Sequence, residues 1–152
     1  MTQATRPRYL DPESPLTLGE GLAEFCAVNP GLIPADDPQI RALVRAHDAC
    51  HVLFALTTSL EDEALADTWT IFGTTVTLRQ YRKYLEHEQF TALIREAGAW
   101  KLLTGTLRAV PRILRAIRRA RKMPEKWPFF DYARFLNTPI AALRQRFGVQ
   151  PV

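Results

Sequence analysis

Apolar positions recur along the chain at helical rather than strand spacing. Leu18, Leu22 and Phe25 mark one face, and Ile40, Leu43, Val44, His47, His51 and Phe54 mark another. Leu103, Leu107, Val110, Leu114 and Ile117 follow i, i+4, i+7, i+11 and i+14. No stretch alternates long enough for a sheet, and Val76 is nearly the one β-leaning spot. The pattern predicts an all-α, single-domain helical bundle of about six helices. Ser14-Pro15, or Thr17 with Glu20, opens the first helix, and Asn29-Pro30-Gly31 stops it. Asp36-Asp37-Pro38 opens the second, and Thr57-Thr58-Ser59 breaks it. Ser59 with Asp62, in place of the preferred Glu, makes a capping-box-like start for a third that ends at Gly73. Thr77 with Gln80 opens a fourth that reaches about Ala97. A fifth runs from about Ala99 to Arg121, with Pro111 inside it as a kink or break. Asn137-Thr138-Pro139 opens a short last helix ending at Gly148. Residues 1–13 read as a loose N-terminal arm, and residues 14–150 as the helical domain.

A length of 152 residues suits one domain with a core of its own. With 47% hydrophobic and 24% charged residues, the composition excludes a disordered or fibrous chain. Cys26 and Cys50 are too few for a disulfide scaffold, so a reducing compartment is expected. Apolar runs such as Val52 to Leu56 fall far short of the roughly 20 residues of a membrane span. The first residues have no apolar core behind their charges, so no secretory leader is expected. The net charge of +4 is unevenly placed. Arg108, Arg112, Arg115, Arg118, Arg119, Arg121, Lys122 and Lys126 stand against Glu125 alone, a local +7, while the other twelve cations and fifteen acids net −3.

His47 and His51 are four residues apart and face the same way on a helix, and Asp48 borders the same arc. Two imidazoles and a carboxylate suit a divalent ion, zinc or alternatively iron, manganese or cobalt. Glu63 would lie about 18 Å from His51 on one continuous helix, at 1.5 Å per residue. The break at residues 57–59 lets the chain reverse instead, so an αα-hairpin brings Glu63 opposite the histidine pair. Glu61 and Asp62 then serve as caps or outer partners, and Cys50 lies to one side as a small buried residue. The alternative stays open that these are satisfied core or surface polar residues. A zincin would need Glu where Asp48 stands. A His-Asp-doublet phosphohydrolase would need a histidine upstream of His47, and the one other histidine is His87.

His47-Asp48-Ala-Cys-His51, then eleven residues, then Glu63 resembles the signature of the coenzyme Q biosynthesis protein four family. Gly73, ten residues past Glu63, matches a glycine that the family tends to have. The stretch from Phe130 through Pro139, Leu143, Arg144 and Gly148 looks like the family's closing helix, and the resemblance covers roughly residues 14–150. Two positions depart from the pattern: Ala55 and Asp62 stand where the family often has glycine. The resemblance implies a divalent metal held by His47, Asp48, His51 and Glu63, with catalysis through that metal. It implies a ubiquinone-biosynthesis protein acting on a polyprenylated benzoate-type intermediate, by oxidative decarboxylation with hydroxylation at ring carbon one. The family has also been regarded as a scaffold for other ubiquinone-biosynthesis proteins. The short chain without a mitochondrial presequence suggests a bacterial cytoplasmic protein, peripheral on the inner face of the membrane.

The basic segment bears on partners without using the resemblance. A cationic amphipathic helix suits an anionic membrane surface, where each cation near the lipid contributes about 1 kcal/mol. Arg108, Arg112, Arg115, Arg118, Arg119, Arg121 and Lys122 are the headgroup candidates. The other reading packs the apolar stripe into the core and leaves the arginines solvated. The absence of aromatics among these arginines argues against nucleic acid. Trp127-Pro-Phe-Phe130 is either an interfacial anchor or core. Asp67 and Glu61 are the acids a proton-transfer role would draw on. A homodimer is compatible with the sequence. Three functions follow: a metal-dependent quinone-biosynthesis enzyme, a lipid-binding scaffold, and a metal-dependent hydrolase unrelated to quinones.

Overall fold

Helix starts in the computed structural model, which describes residues 6–30, 38–85 and 99–152, follow the capping chemistry of the sequence. In helix α1 (Leu18–Val28) the Glu20 amide donates to Thr17 Oγ1 at 3.2 Å, and the Thr17 amide donates to Glu20 Oε2 at 2.8 Å. Thr77 and Gln80 repeat the exchange at the start of α4 (Leu78–Leu85). The start of α3 (Leu60–Gly73) departs from expectation. Ser59 caps the Asp62 amide, but the Asp62 carboxylate does not return to the Ser59 amide. One methylene shorter than Glu, it accepts instead from the amide and hydroxyl of Thr57, at 2.9 and 2.7 Å. The Asp36–Asp37 cap of α2 (Pro38–Leu53) and the stretch from Glu86 towards Ala97, with His87, lie outside the described residues. The fifth helix, α5 (Ala99–Lys122), runs through Pro111 unbroken, and α6 (Ile140–Phe147) closes the chain. No strand occurs among the described residues, and the fold is an all-α bundle.

Two helices end in the same way. The Leu56 amide returns to the His51 carbonyl at 2.8 Å, and Val149 returns to Arg144 at 2.8 Å. Both turns place a residue in the left-handed region, Gly148 at φ 65° and Ala55 at φ 57°. Ala55 therefore occupies the conformation that favours the glycine expected at this position. After the turn, α3 runs back along α2 and packs against α5. Phe54 stacks on Trp69 with centroids 4.4 Å apart, and Trp127 packs edge-on against Phe147.

One expectation changes here. The part of the N-terminal arm that the structure describes is not loose. A 3₁₀ turn over Arg8–Leu10 buries Tyr9 and Leu10 in the core, and the Tyr9 hydroxyl donates to the Leu56 carbonyl at 3.2 Å. In α5 the fully buried residues, among those whose side chains are described, are Ala109, Ala116 and Ala120. Small side chains let its backbone approach α3 closely. Leu107 and Leu114 are 60% exposed and Val110 40%, so this part of the apolar stripe faces outward.

Arg144 joins the pieces from inside. Its guanidinium is buried and donates five hydrogen bonds to main-chain carbonyls. Nε reaches Leu53 at 2.8 Å, Nη2 reaches Tyr9 at 2.8 Å and Val52 at 3.0 Å, and Nη1 reaches Asp11 and Pro12. The end of α2, the N-terminal turn and α6 are thereby fastened to one group. Burial pulls its pKa down to about 10, so it stays charged at neutral pH.

Candidate metal centre

The reversal between α2 and α3 brings the histidine pair against the acidic first turn of α3. His47 and His51, one turn apart, are both buried, with ring centroids 4.9 Å apart. One donor atom each from His47, His51 and Glu63 lies within 4.8 Å of the others. The hairpin thus brings together three of the four ligands expected from the sequence. His51 Nε2 is 3.5 Å from Glu63 Oε2. Phe25 of α1 stacks on His51 at 5.1 Å and walls the imidazole from the far side. The Glu63 side chain is 37% exposed, so the cluster opens to solvent on that edge.

Asp48 is buried next to His47 but is not among the mutually close donors. Burial pushes its carboxyl above the usual carboxylate range, while His47, His51 and Arg45 pull the other way. For His47, burial opposes the charged form, but Asp67, Glu63 and Asp48 outweigh it and raise the imidazole above its ordinary value.

The residues fit a divalent cation. The 3.5 Å gap from His51 Nε2 to Glu63 Oε2 exceeds a good hydrogen bond. Such separations suit two donors turned toward a shared ion, and imidazole with carboxylate suits zinc or a neighbouring transition metal. Cys50 is buried as expected, and burial pushes its thiol up to about 12, far from a ready thiolate ligand.

A second contact on the same face was less legible. Asp67 Oδ1 is 3.5 Å from His47 Nε2, and the buried Tyr81 of α4 donates its hydroxyl to the same Asp67 oxygen in a short hydrogen bond. The i, i+4 relation of Glu63 and Asp67 hinted at this carboxylate, whereas nothing local pointed to Tyr81.

The basic segment divides in two. Arg112 is bound inward, to Asp62 at 2.8 Å and to the Val152 main-chain oxygen at 3.1 Å. Arg119 reaches the carbonyls of Gln150 and Pro151, and Lys126 those of Phe72 and Ala120. Arg108, Arg115, Arg118, Arg121 and Lys122 remain on the surface beside Leu107, Val110 and Leu114. Trp127 and Phe129 are core, and Phe130 is 44% exposed. Among the described residues no helix is long and apolar enough to cross a membrane. Comparison with protein-family models, curated proteins and solved structures finds no match to this chain.

Proposed function

We propose that this chain is a metal-dependent enzyme of ubiquinone biosynthesis, acting at a membrane surface on a polyprenylated benzoate-type intermediate. The reaction is the oxidative decarboxylation and hydroxylation at ring carbon one that the resemblance implies. The observation that carries the reading is the convergence of His47, His51 and Glu63 from the two arms of one hairpin. Asp48 completes the ligand set by analogy with the resembling family. A bound divalent ion would supply Lewis-acid stabilisation of the charge that develops as the ring–carboxylate bond breaks and carbon dioxide leaves; the ring–oxygen bond that replaces it needs dioxygen as external oxidant and oxygen source, which a redox-active ion such as iron, and not zinc, would help to use. The chain itself would hold that ion through His47, His51 and Glu63, covers one side of His51 with Phe25, and leaves the Glu63 edge open for an aromatic acid. The outward apolar face of α5 and its surface arginines support work against an anionic bilayer, where a prenylated substrate resides.

A second reading, a lipid-binding scaffold for other ubiquinone-biosynthesis proteins, draws on that same outward face without needing chemistry. Elemental analysis of the purified protein beside Glu63→Ala, with bound lipid extracted for mass spectrometry, tests the proposal. About one equivalent of divalent metal in the wild type, lost in the variant, together with a polyprenyl lipid, is the expected result. A metal-free wild type overturns the enzyme, and metal with no lipid favours a hydrolase. Rescue of a quinone-deficient strain by His47→Ala would establish the scaffold instead.

A further inference from the structure

We propose that Asp67 and Tyr81 form a positioning pair that sets the orientation of His47 for metal binding. The proposal rests on reading His47, His51 and Glu63 as a metal centre. Helices α2 and α3 are antiparallel arms of one hairpin, and each presents a pair of residues at i, i+4. His51 therefore meets Glu63, and His47 meets Asp67, both at 3.5 Å.

The two rungs differ in what holds the carboxylate. Glu63 belongs to the group of mutually close donors, and Asp67 does not. Asp67 is instead tied from a third helix, because the Tyr81 hydroxyl donates to the oxygen that faces His47. Tyr81 is 2% exposed, and its ring is fixed in the core, so the hydroxyl pins the carboxylate in one place. At 3.5 Å the contact is longer than a good hydrogen bond, so the fixed carboxylate acts on His47 through its charge, favouring one ring orientation and raising the basicity of the imidazole as a ligand. Asp67 thus acts through His47 rather than on the ion. This assigns α4 a role at the centre although it contributes no ligand.

The test uses the full chain with cobalt(II) as a spectroscopic probe and zinc in competition with a chromogenic chelator. Asp67→Asn keeps the shape and removes the charge, and it should weaken metal binding about 10- to 100-fold. It should also shift the cobalt ligand-field bands, which a merely structural role would leave in place. Tyr81→Phe should move both readouts in the same direction by less, and it serves if Asp67→Asn fails to fold. Circular dichroism confirms that each variant is helical. Unchanged affinity and spectra in both variants would overturn the pair and leave the metal centre standing. Loss of binding in Asp67→Asn as complete as in Glu63→Gln would make Asp67 a ligand and overturn the positioning role. Failure of the wild type to bind cobalt or zinc would bring down both the centre and the pair.

Discussion

Replacing Arg144 with methionine keeps much of the side-chain volume and removes five donors from five carbonyls. A hydrogen bond from a charged donor contributes about 1.5–3 kcal/mol net, so the set amounts to roughly 7–15 kcal/mol before burial of the ion is counted. Taking the guanidinium out of water costs several kcal/mol, and the carbonyls of Val52 and Leu53 would keep some solvation through local fraying. The balance predicts a loss of about 3–5 kcal/mol. That is about a fifth or more of the stability of a typical domain, and it corresponds to a fall in Tm of about 8–16 °C at this chain length. Arg144→Lys should recover less than half, because one ammonium cannot span the carbonyls of Tyr9 and Val52 and also those of Asp11 and Pro12. Urea unfolding followed by circular dichroism measures the loss. Tryptic cleavage after Arg8, which should accelerate in the methionine variant, locates it. A methionine variant within about 1 kcal/mol of wild type would refute the argument, since it would mean that burial of the charge cancels its hydrogen bonds.

Three further predictions follow from local geometry. Ala55→Gly should stabilise the protein by up to about 1 kcal/mol, because Ala55 sits at φ 57°; an unchanged or lower urea midpoint would contradict this. Tyr9→Phe should cost about 1 kcal/mol at pH 7 through the lost bond to Leu56, yet narrow its gap to wild type at high pH. Burial and the charges of Glu24 and Asp62 raise the Tyr9 pKa from 10.0 to about 12, so the stability held by the neutral phenol is present below pH 10 and lost as pH rises through about 12; chemical denaturation at pH 7 and 11 shows whether the gap closes. Arg115→Glu with Arg118→Glu should abolish co-sedimentation with anionic vesicles, whereas Arg119→Gln should change it little because Arg119 is bound to carbonyls of the chain end.

Much of this structure is legible in the sequence because capping is local chemistry. Thr17–Glu20, one of the two starts the sequence offers for α1, and Thr77–Gln80 do start helices, and the break at residues 57–59 does reverse the chain to carry Glu63 to His51. Both departures from the resembling family find a physical account. Ala55 bears the left-handed turn directly, and Asp62 spends its carboxylate on Thr57 and Arg112. What escaped the sequence depends on partners distant along the chain. The turn at Arg8–Leu10 is too short to show a period, so the burial of Tyr9 was invisible. The periodicity of large side chains in α5 marks its outer face, while three alanines, inconspicuous in any pattern, make the inner one. Tyr81 joins the site through a contact spanning fourteen residues and two helices, which no motif spacing encodes.

The ties made by Arg144 join residues 135, 133, 132, 92 and 91 positions apart. Pairings of such sequence separation slow folding, because a long loop must close before the contact forms. A chain growing from the ribosome has made the histidine hairpin long before residue 144 emerges. Until then the carbonyls ending α2 and the Tyr9 carbonyl lack their donor. Final locking of the region around His51 therefore belongs to the last stage of synthesis, and nascent chains halted before α6 should expose the N-terminal turn to protease while full-length chains protect it.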